Sequence, residues 1–431
     1  MRDRRYLLPL VLFLCLAGPV IAGDPTTWTE RNLPDLIGLY RHLHAHPELS
    51  YQEKETAARL ASEFAATGAK VTANVGGHGV VALLENGEGP VVMMRTDMDA
   101  LPMVEETDLP YASRVTVRDP DGAQVGVMHA CGHDIHMANL VGVAHYLATH
   151  RDLWQGTAMF VAQPAEERGG GARAMLDDGL FERFPRPDYA LAMHIDATLA
   201  TGRIGYRPGY SFANVDTVGI TLTGRGGHGA TPHATIDPVV LAAGLVLDLQ
   251  TIVSREIKPI EPAVITVGAL HCGTKSNIIG DTCDLRITVR SYSDQVRAHL
   301  LEAIERKARA AALGARAPAP KVAISEGIPS MRNDETLVER LLPVFHRVVG
   351  AENTELAEPI MGGEDFALYG RAGVPIFMWR IGAVNAPRLE DWRSRGLSPP
   401  SLHSPRFYPD AEETLRLSVM TMASAALEIF Q

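Results

Sequence analysis

Thr157-Ala158-Met159-Phe160-Val161-Ala162-Gln163-Pro164-Ala165-Glu166-Glu167 is the stretch on which the reading of this chain turns. Its first six residues carry no charge and are mostly apolar, the pattern of a strand buried on both faces. Pro164 ends the run, two adjacent carboxylates follow, and Gly169-Gly170-Gly171 leads into the next element. Neighbouring carboxylates on a loop point different ways. One can hold a metal ion while the other faces a bound water. That division suits metal-assisted hydrolysis, where the ion lowers the pKa of water and a carboxylate shuttles its proton. A solvated acidic pair is the plain alternative, and the position at a strand end is what argues against it.

Working outward, the same arrangement recurs. Residues 80–84, 91–95 and 189–194 read as short apolar strands, and 28–46, 53–67, 137–149 and 171–178 as helices. Strands alternating with helices predict an α/β fold, a mostly parallel sheet covered on both faces. Sites in such sheets form beyond the carboxyl ends of the strands. Arg95-Thr96-Asp97, Gln163 to Glu167, and His194 all fall at such ends. Before the 137–149 helix stands Met128-His129-Ala130-Cys131-Gly132-His133-Asp134-Ile135-His136, with one thiol and three imidazoles. On an extended or loop backbone the two-residue spacing of Cys131 and His133 can aim both at one point. Thiolate and imidazole suit zinc, and imidazole also suits manganese or nickel. A buried cysteine beside surface histidines is the competing reading. His194 and His403, taken singly, read as structural histidines. Asp97 and Asp99 can orient a ligand histidine from behind, or cap the turn before Pro102.

Near Pro208 the pattern changes. Residues 215–223 alternate as a half-exposed strand does, a helix follows at 238–254, strands at 263–270 and 283–289, and a helix at 294–313. This order predicts a smaller α+β unit with an antiparallel sheet. Ala317-Pro318-Ala319-Pro320 reads as the linker back. Residues 385–402 read as a loop before His403, and 411–430 as the last helix. The chain of 431 residues is too long for one ordinary core. It divides into a catalytic part at 24–207, an inserted dimerisation or lid unit at 208–320, and the rest of the catalytic part at 321–431.

Residues 1–22 differ from the rest. Arg2, Arg4 and Arg5 precede an apolar run, and Val20-Ile21-Ala22 offers small residues for cleavage, so the segment reads as a secretory signal. The run is too short to span a bilayer, so no membrane association is expected after cleavage. Without it, 37 of 40 basic and 50 of 51 acidic residues remain, a net charge of −13. No basic stripe is left for nucleic acid. Export to the periplasm or beyond implies an oxidising compartment, where Cys272 and Cys283 can pair across a hairpin and leave Cys131 as the lone thiol.

Together the motifs resemble the aminoacylase and carboxypeptidase family of two-metal amidohydrolases, and most closely its hippurate hydrolase and indoleacetyl-amino-acid hydrolase branch. The matching segments run through nearly all of the chain in the family's order. They are Arg41 to Ser50 (RHLHAHPELS), Arg95 to Pro102 (RTDMDALP), the Met128 to His136 stretch and Gln163 to Glu167. Later come Gly226-Gly227-His228-Gly229-Ala230-Thr231-Pro232-His233, Met361-Gly362-Gly363-Glu364-Asp365-Phe366-Ala367, and Leu402-His403. The resemblance implies two divalent metal ions per subunit, zinc or manganese with cobalt or nickel as further candidates. Their ligands would be Cys131, His133, Glu167, His194 and His403. Glu166 matches the general base and Asp97 the supporting aspartate. Arg95 stands where other branches keep a metal-binding histidine. His228 matches a histidine reaching the active site from the partner of a homodimer, and Asn277 and Arg290 match residues holding the substrate carboxylate. Ile279-Gly280 departs from the family's usual Ile-Pro after that asparagine.

The expectation is an exported metalloamidohydrolase that cleaves an N-acyl amino acid. A hydroxide between two metals would attack the amide carbonyl, with Glu166 passing the proton to the departing amine. A carboxypeptidase or dipeptidase is the nearest alternative, with the same chemistry and a different acyl pocket. A catalytically dead ligand-binding protein on the same scaffold is the alternative from another class, and an intact Glu166 argues against it.

Overall fold

A computed structural model describes residues 24–118 and 122–431. The expected signal segment lies outside the described residues. In chain order, α1 (Pro25–Ala45) and α2 (Lys54–Ala66) lead into β1 (Lys70–Val75), β2 (Gly79–Asn86) and β3 (Val91–Asp97). Next come α3 (His133–Thr149), β4 (Gly156–Gln163), β5 (Tyr189–Ala200) and β6 (Ile204–Tyr206). The chain then makes β7 (Asn214–Thr223), β8 (Gly227–His228), α4 (Pro238–Thr251), β9 (Ala263–Cys272), β10 (Ile278–Ile279), β11 (Thr282–Ser291), α5 (Asp294–Gly314) and β12 (Lys321–Glu326). It closes with α6 (Glu335–Val349), β13 (Thr354–Leu356), β14 (Ile376–Val384) and α7 (Ala411–Phe430).

The large sheet has the order β1-β2-β4-β3-β5-β14-β6-β13. Its central strands β4, β3, β5 and β14 are mutually parallel. β4 shows why they sit at the centre. Phe160 and Ala162 enter one core cluster, Met159 and Val161 the other, and all four are fully buried. A strand apolar on both sides needs a layer on each face. The small sheet, β9-β11-β7-β12, is antiparallel throughout. Along β7, Val218, Ile220 and Leu222 alternate inward to meet Leu245 of α4 and Leu300 of α5 in a separate core.

Four sequence expectations change. Ala317 to Pro320 does not return the chain to the large sheet; it leads into β12, which pairs with β7 as the fourth small-sheet strand. Residues 385–402 contain a helix, Ala386–Ser394, where the Asn385 side chain accepts the Arg388 N–H at 2.9 Å and caps it. α3 begins at His133, four residues earlier than the periodicity predicts. Gly132 makes that start possible. Its φ of +83° suits glycine, and a Cβ there would lie 2.1 Å from Ile195 Cδ1. Finally, β5 runs on past His194 because β14 keeps pairing with it as far as Asp196 and Ala200, although β3 has stopped pairing at Leu191.

Cys272 and Cys283 are register partners on β9 and β11 and form a disulfide. It closes a short loop, so replacing both with alanine should cost about 2–3 kcal/mol of unfolding free energy. Urea titration of the double variant, beside wild type with and without reductant, measures this. Coincident midpoints in all samples would show that the bridge adds nothing.

Candidate active site

One face of the large sheet carries the site. Arg95 and Asp97 of β3, Gln163 of β4 and His194 of β5 share that face, in step with Met93, Met159, Val161 and Ala192 beneath them. The segments that follow β3 and β4 complete the site. Asp99 ties these pieces together. Its two carboxylate oxygens accept the backbone N–H groups of Glu166 and Glu167 at 3.1 and 3.0 Å. Ser50 Oγ donates to it at 2.6 Å, and its carbonyl accepts His133 Nδ1–H at 2.7 Å. Ala165 and His403 adopt left-handed φ values of +50° and +64° without being glycine. Buried Glu53 holds the first by accepting the Ala165 N–H at 2.7 Å, and the Ala130 carbonyl holds the second by accepting the His403 N–H at 2.9 Å.

These supports bring five donors together. Cys131 Sγ is 3.5 Å from His194 Nε2 and 3.2 Å from His403 Nε2. Glu167 Oε1 lies 3.2 Å from His403 Nε2 and 3.9 Å from His133 Nε2. Cys131, His133 and His194 form one compact group, Cys131, Glu167 and His403 another, and His133, Glu166 and Glu167 a third. The donor set fits divalent metal ions. His133 Nε2 and Glu167 Oε1 are buried with no hydrogen-bond partner, which is costly unless a cation lies between them. His133 and His194 each give Nδ1–H to a backbone carbonyl, at 2.7 Å in both cases, which leaves Nε2 as a lone-pair donor toward the cluster. Burial, with Glu167 and Glu166 nearby, pushes the Cys131 thiol well above its ordinary range. A thiolate here therefore needs cationic compensation.

The other two imidazoles of the 128–136 stretch are not part of this set. His136 gives Nδ1–H to Asp97 at 2.7 Å and accepts the Ile195 N–H at Nε2, so both nitrogens are spent. His129 is buried, with neither ring nitrogen bonded, and burial lowers it to about 4.

Behind the donors lies a second buried cluster that the sequence reading did not assign. Arg95 donates to Asp97 at 2.7 Å and to Asp365 at 3.1 Å, with Glu364 at 3.0 Å and Gln163 at 3.1 Å. An acidic pair following Gly362-Gly363 and preceding buried Phe366 was the available signal. Glu166 is the acid left without a cation. Burial first, then Glu364, Glu167 and Asp365, push it well above the usual carboxylate range. That is the direction a proton acceptor needs if it is to hold and later release a proton.

Glu166, Glu167, Cys131, His194 and His403 border a cavity of about 620 Å³, together with Arg290 of β11. Phe212, Val215, Ile328, Ile360 and Leu402 give it apolar walls. His228 and Asn277 are not among its lining residues. They lie exposed on the β8–β10 ribbon, with His228 paired to Ile278. Gly280, where the resembled family has proline, leaves that ladder intact.

His44, in the 41–50 motif, is structural. Its Nδ1 is 2.7 Å from Asp134 and its Nε2 3.1 Å from Glu105, all buried. Burial opposes the imidazolium, but the two carboxylates overcome this and raise His44 to about 9. A raised folded pKa stabilises below the unfolded value of about 6.5 and loses that contribution as pH rises through 9. The loss between those limits should be on the order of 3 kcal/mol, and it should be absent in His44→Gln. Unfolding free energy against pH for both proteins measures it. Parallel curves from pH 6.5 to 9 would show that His44 does not carry the proton.

The chain is similar to known proteins along most of its length. Residues 93–392 match the family described as peptidase family M20/M25/M40. The chain is 34% identical over 398 residues to the N-acetylcysteine deacetylase of Bacillus subtilis (strain 168), covering 92% of this chain and 97% of the relative. It is 32% identical to thermostable carboxypeptidase 1 of Saccharolobus solfataricus, covering 91% and 95%. The crystal structure of the Bacillus subtilis YXEP protein, titled a dinuclear metal binding peptidase from the M20 family, superposes with a TM-score of 0.77. That pair is 31% identical, over 93% of this chain and 99% of the other.

Proposed function

The chain belongs to peptidase family M20/M25/M40 and is a metal-dependent hydrolase acting on amides; from that premise we propose that it removes the acyl group from N-acyl amino acids. The observation that carries this reading is the lining of the cavity. Metal-donor residues and Glu166 border it together with a guanidinium, Arg290, that comes from the small sheet. Arg290 gives Nε–H to Thr288 at 3.0 Å and Nη1–H to the Met361 carbonyl at 3.4 Å, which leaves donors for a substrate carboxylate. The apolar walls suit an acyl chain.

Cys131, His133, Glu167, His194 and His403 would hold two divalent ions. When bound, these ions supply an acidified water and a Lewis acid for the carbonyl oxygen. Glu166 takes a proton on its carboxylate and delivers it to the leaving nitrogen. Asp99 holds the Glu166 and Glu167 backbone in place meanwhile. Arg290 fixes the free carboxylate and so sets which amide lies over Glu166.

Glu166→Gln should lower turnover of N-acetyl and N-benzoyl amino acids on the order of a hundred-fold or more while bound metal is unchanged. Kinetics paired with metal analysis reads this. Loss of metal in the variant would make Glu166 a ligand and reverse its role with Glu167. Dipeptides in the same panel give the carboxypeptidase reading its chance, and a panel with no turnover would favour a dead scaffold.

We also propose a homodimer in which His228 and Asn277 complete the partner's cavity. Both are exposed and outside the cavity of their own chain. Gly226 lets the ribbon close tightly, since a Cβ there would lie 2.6 Å from the Ile279 carbonyl. Nearby, Val240 and Leu247 of α4 and Ile278 of β10 expose apolar surface, as a two-fold contact would use. The Pro238–Glu256 helix meets the length and composition of a membrane span, but it lies on this unit and its exposed face fits a subunit contact. Refolding Glu166→Gln chains together with His228→Ala chains should restore roughly a quarter of wild-type activity, because each mixed dimer then has one intact site. No recovery after confirmed mixing would place His228 in cis. Export is proposed too; the Cys272–Cys283 bridge is what an oxidising compartment favours.

A further inference from the structure

The cavity contains a second guanidinium that the proposed reaction does not use. Arg380 of β14 is the register partner of His194 on β5, so both side chains leave the same face of the large sheet. Arg380 lines the cavity and its side chain is only 13% exposed. Two other arginines with little exposed side chain are held by close carboxylates: Arg95 by Asp97, Glu364 and Asp365, and Arg297 by Asp216 at 2.9 and 2.5 Å. Arg380 is not. Its Nη2 is buried without a hydrogen-bond partner, and Nη1 comes no nearer than 3.7 Å to Asp196. Asp196 is itself engaged, since its other oxygen accepts the Thr198 N–H and Oγ–H at 2.8 and 2.7 Å. The Phe212 ring lies 5.6 Å from the guanidinium on one side, and Asp196, Tyr292 and Arg207 are its titratable neighbours.

An N-acyl amino acid has one free carboxylate, and Arg290 is placed to take it. A mostly buried guanidinium whose nearest carboxylate, Asp196, stays at 3.7 Å keeps unfilled donors, and a ligand carboxylate can satisfy them. We propose that Arg380 is a specificity-determining residue that reads a second carboxylate, so that the preferred substrates are dianionic. This rests on the N-acyl amino acid reading above. The second carboxylate can come from an acidic side chain on the amino acid, as in N-acetylglutamate. It can equally come from the far end of a dicarboxylic acyl group, as in N-succinylalanine. Both present the same group to Arg380.

Two matched pairs separate these sources: N-acetylglutamate against N-acetylglutamine, and N-succinylalanine against N-butyrylalanine. With metal-loaded wild type, one dianionic substrate should exceed its neutral partner in kcat/KM by roughly ten-fold or more, mostly through KM, because a desolvated charge-assisted pair discriminates strongly. In Arg380→Met that ratio should fall toward one, and Arg380→Lys should keep part of it. Ratios near one for both pairs in wild type overturn the proposal. So does Arg380→Met lowering dianionic and neutral substrates alike, which is what a residue serving only the fold would do. If wild type hydrolyses none of the four, the N-acyl reading fails separately. Calorimetric binding of the same compounds to Glu166→Gln then decides Arg380: tighter binding of a dianion upholds it, and equal affinities or no binding overturn it.

Discussion

The site depends on the carboxylate of Asp99. It accepts two successive backbone N–H groups, those of Glu166 and Glu167, while the Asp99 backbone carbonyl accepts the hydrogen bond of His133 Nδ1–H. These contacts join the segment after β3, the loop after β4 and the first turn of α3. Two neighbouring glutamates cannot both face one point unless their backbone is turned, and Ala165, at a φ of +50°, is that turn. The local cost is met by Asp99 on one side and Glu53 on the other. The geometry that sets the Glu166 and Glu167 carboxylates apart is therefore present before any substrate binds.

Charge balance is the second constraint. Asp97, Asp99, Glu166, Glu364 and Asp365 are all buried, and Arg95 is the strong cation among them. Arg95 stabilises Asp97, Glu364 and Asp365, which leaves Glu166, Glu167 and the Cys131 thiol facing one another. Such a hollow is favourable only around cations, so affinity for metal and stability of the fold are linked. Glu166 gains from the same imbalance. Its proton affinity rises first because it is buried, and then because Glu364, Glu167 and Asp365 lie close while Arg95 is held by the other acids.

Much of this was legible in the sequence, for identifiable reasons. The β4 run followed by Pro164 and two glutamates reports a parallel strand and its functional end directly, because burial on both faces leaves no room for polar residues. Cys131 and His133 were legible as a pair from spacing, although the helix starting at His133 was not, since its first turn is buried and shows no amphipathic period. His194 was marked only by its place at a strand end, and His403 by nothing local, so both needed the resemblance to be read as ligands. Glu53 and Arg380 were not legible at all, and Asp365 was legible as part of the 361–367 motif but not by its role. Each acts through partners far along the chain: Glu53 on Ala165, Asp365 on Arg95, and Arg380 on the cavity shared with Arg290. Residue type reveals what a side chain can do, and only topology reveals what it meets.

Topology also explains why the small sheet sits where it does. His403 and Cys131 are 272 residues apart, yet their side chains touch. The insertion between β6 and β13 separates the segments that must meet, so the donor set is complete only after both parts of the large sheet have joined. Contacts of such separation form late, because the loop entropy must be overcome before they contribute. In return, the insertion carries Arg290 on β11 to the cavity that β5 and β14 border from the large sheet. In the proposed reaction one wall would select the substrate's carboxylate while the other holds the chemistry. Substitutions in the small sheet can therefore alter which amide is presented without disturbing Cys131, His133 or Glu166.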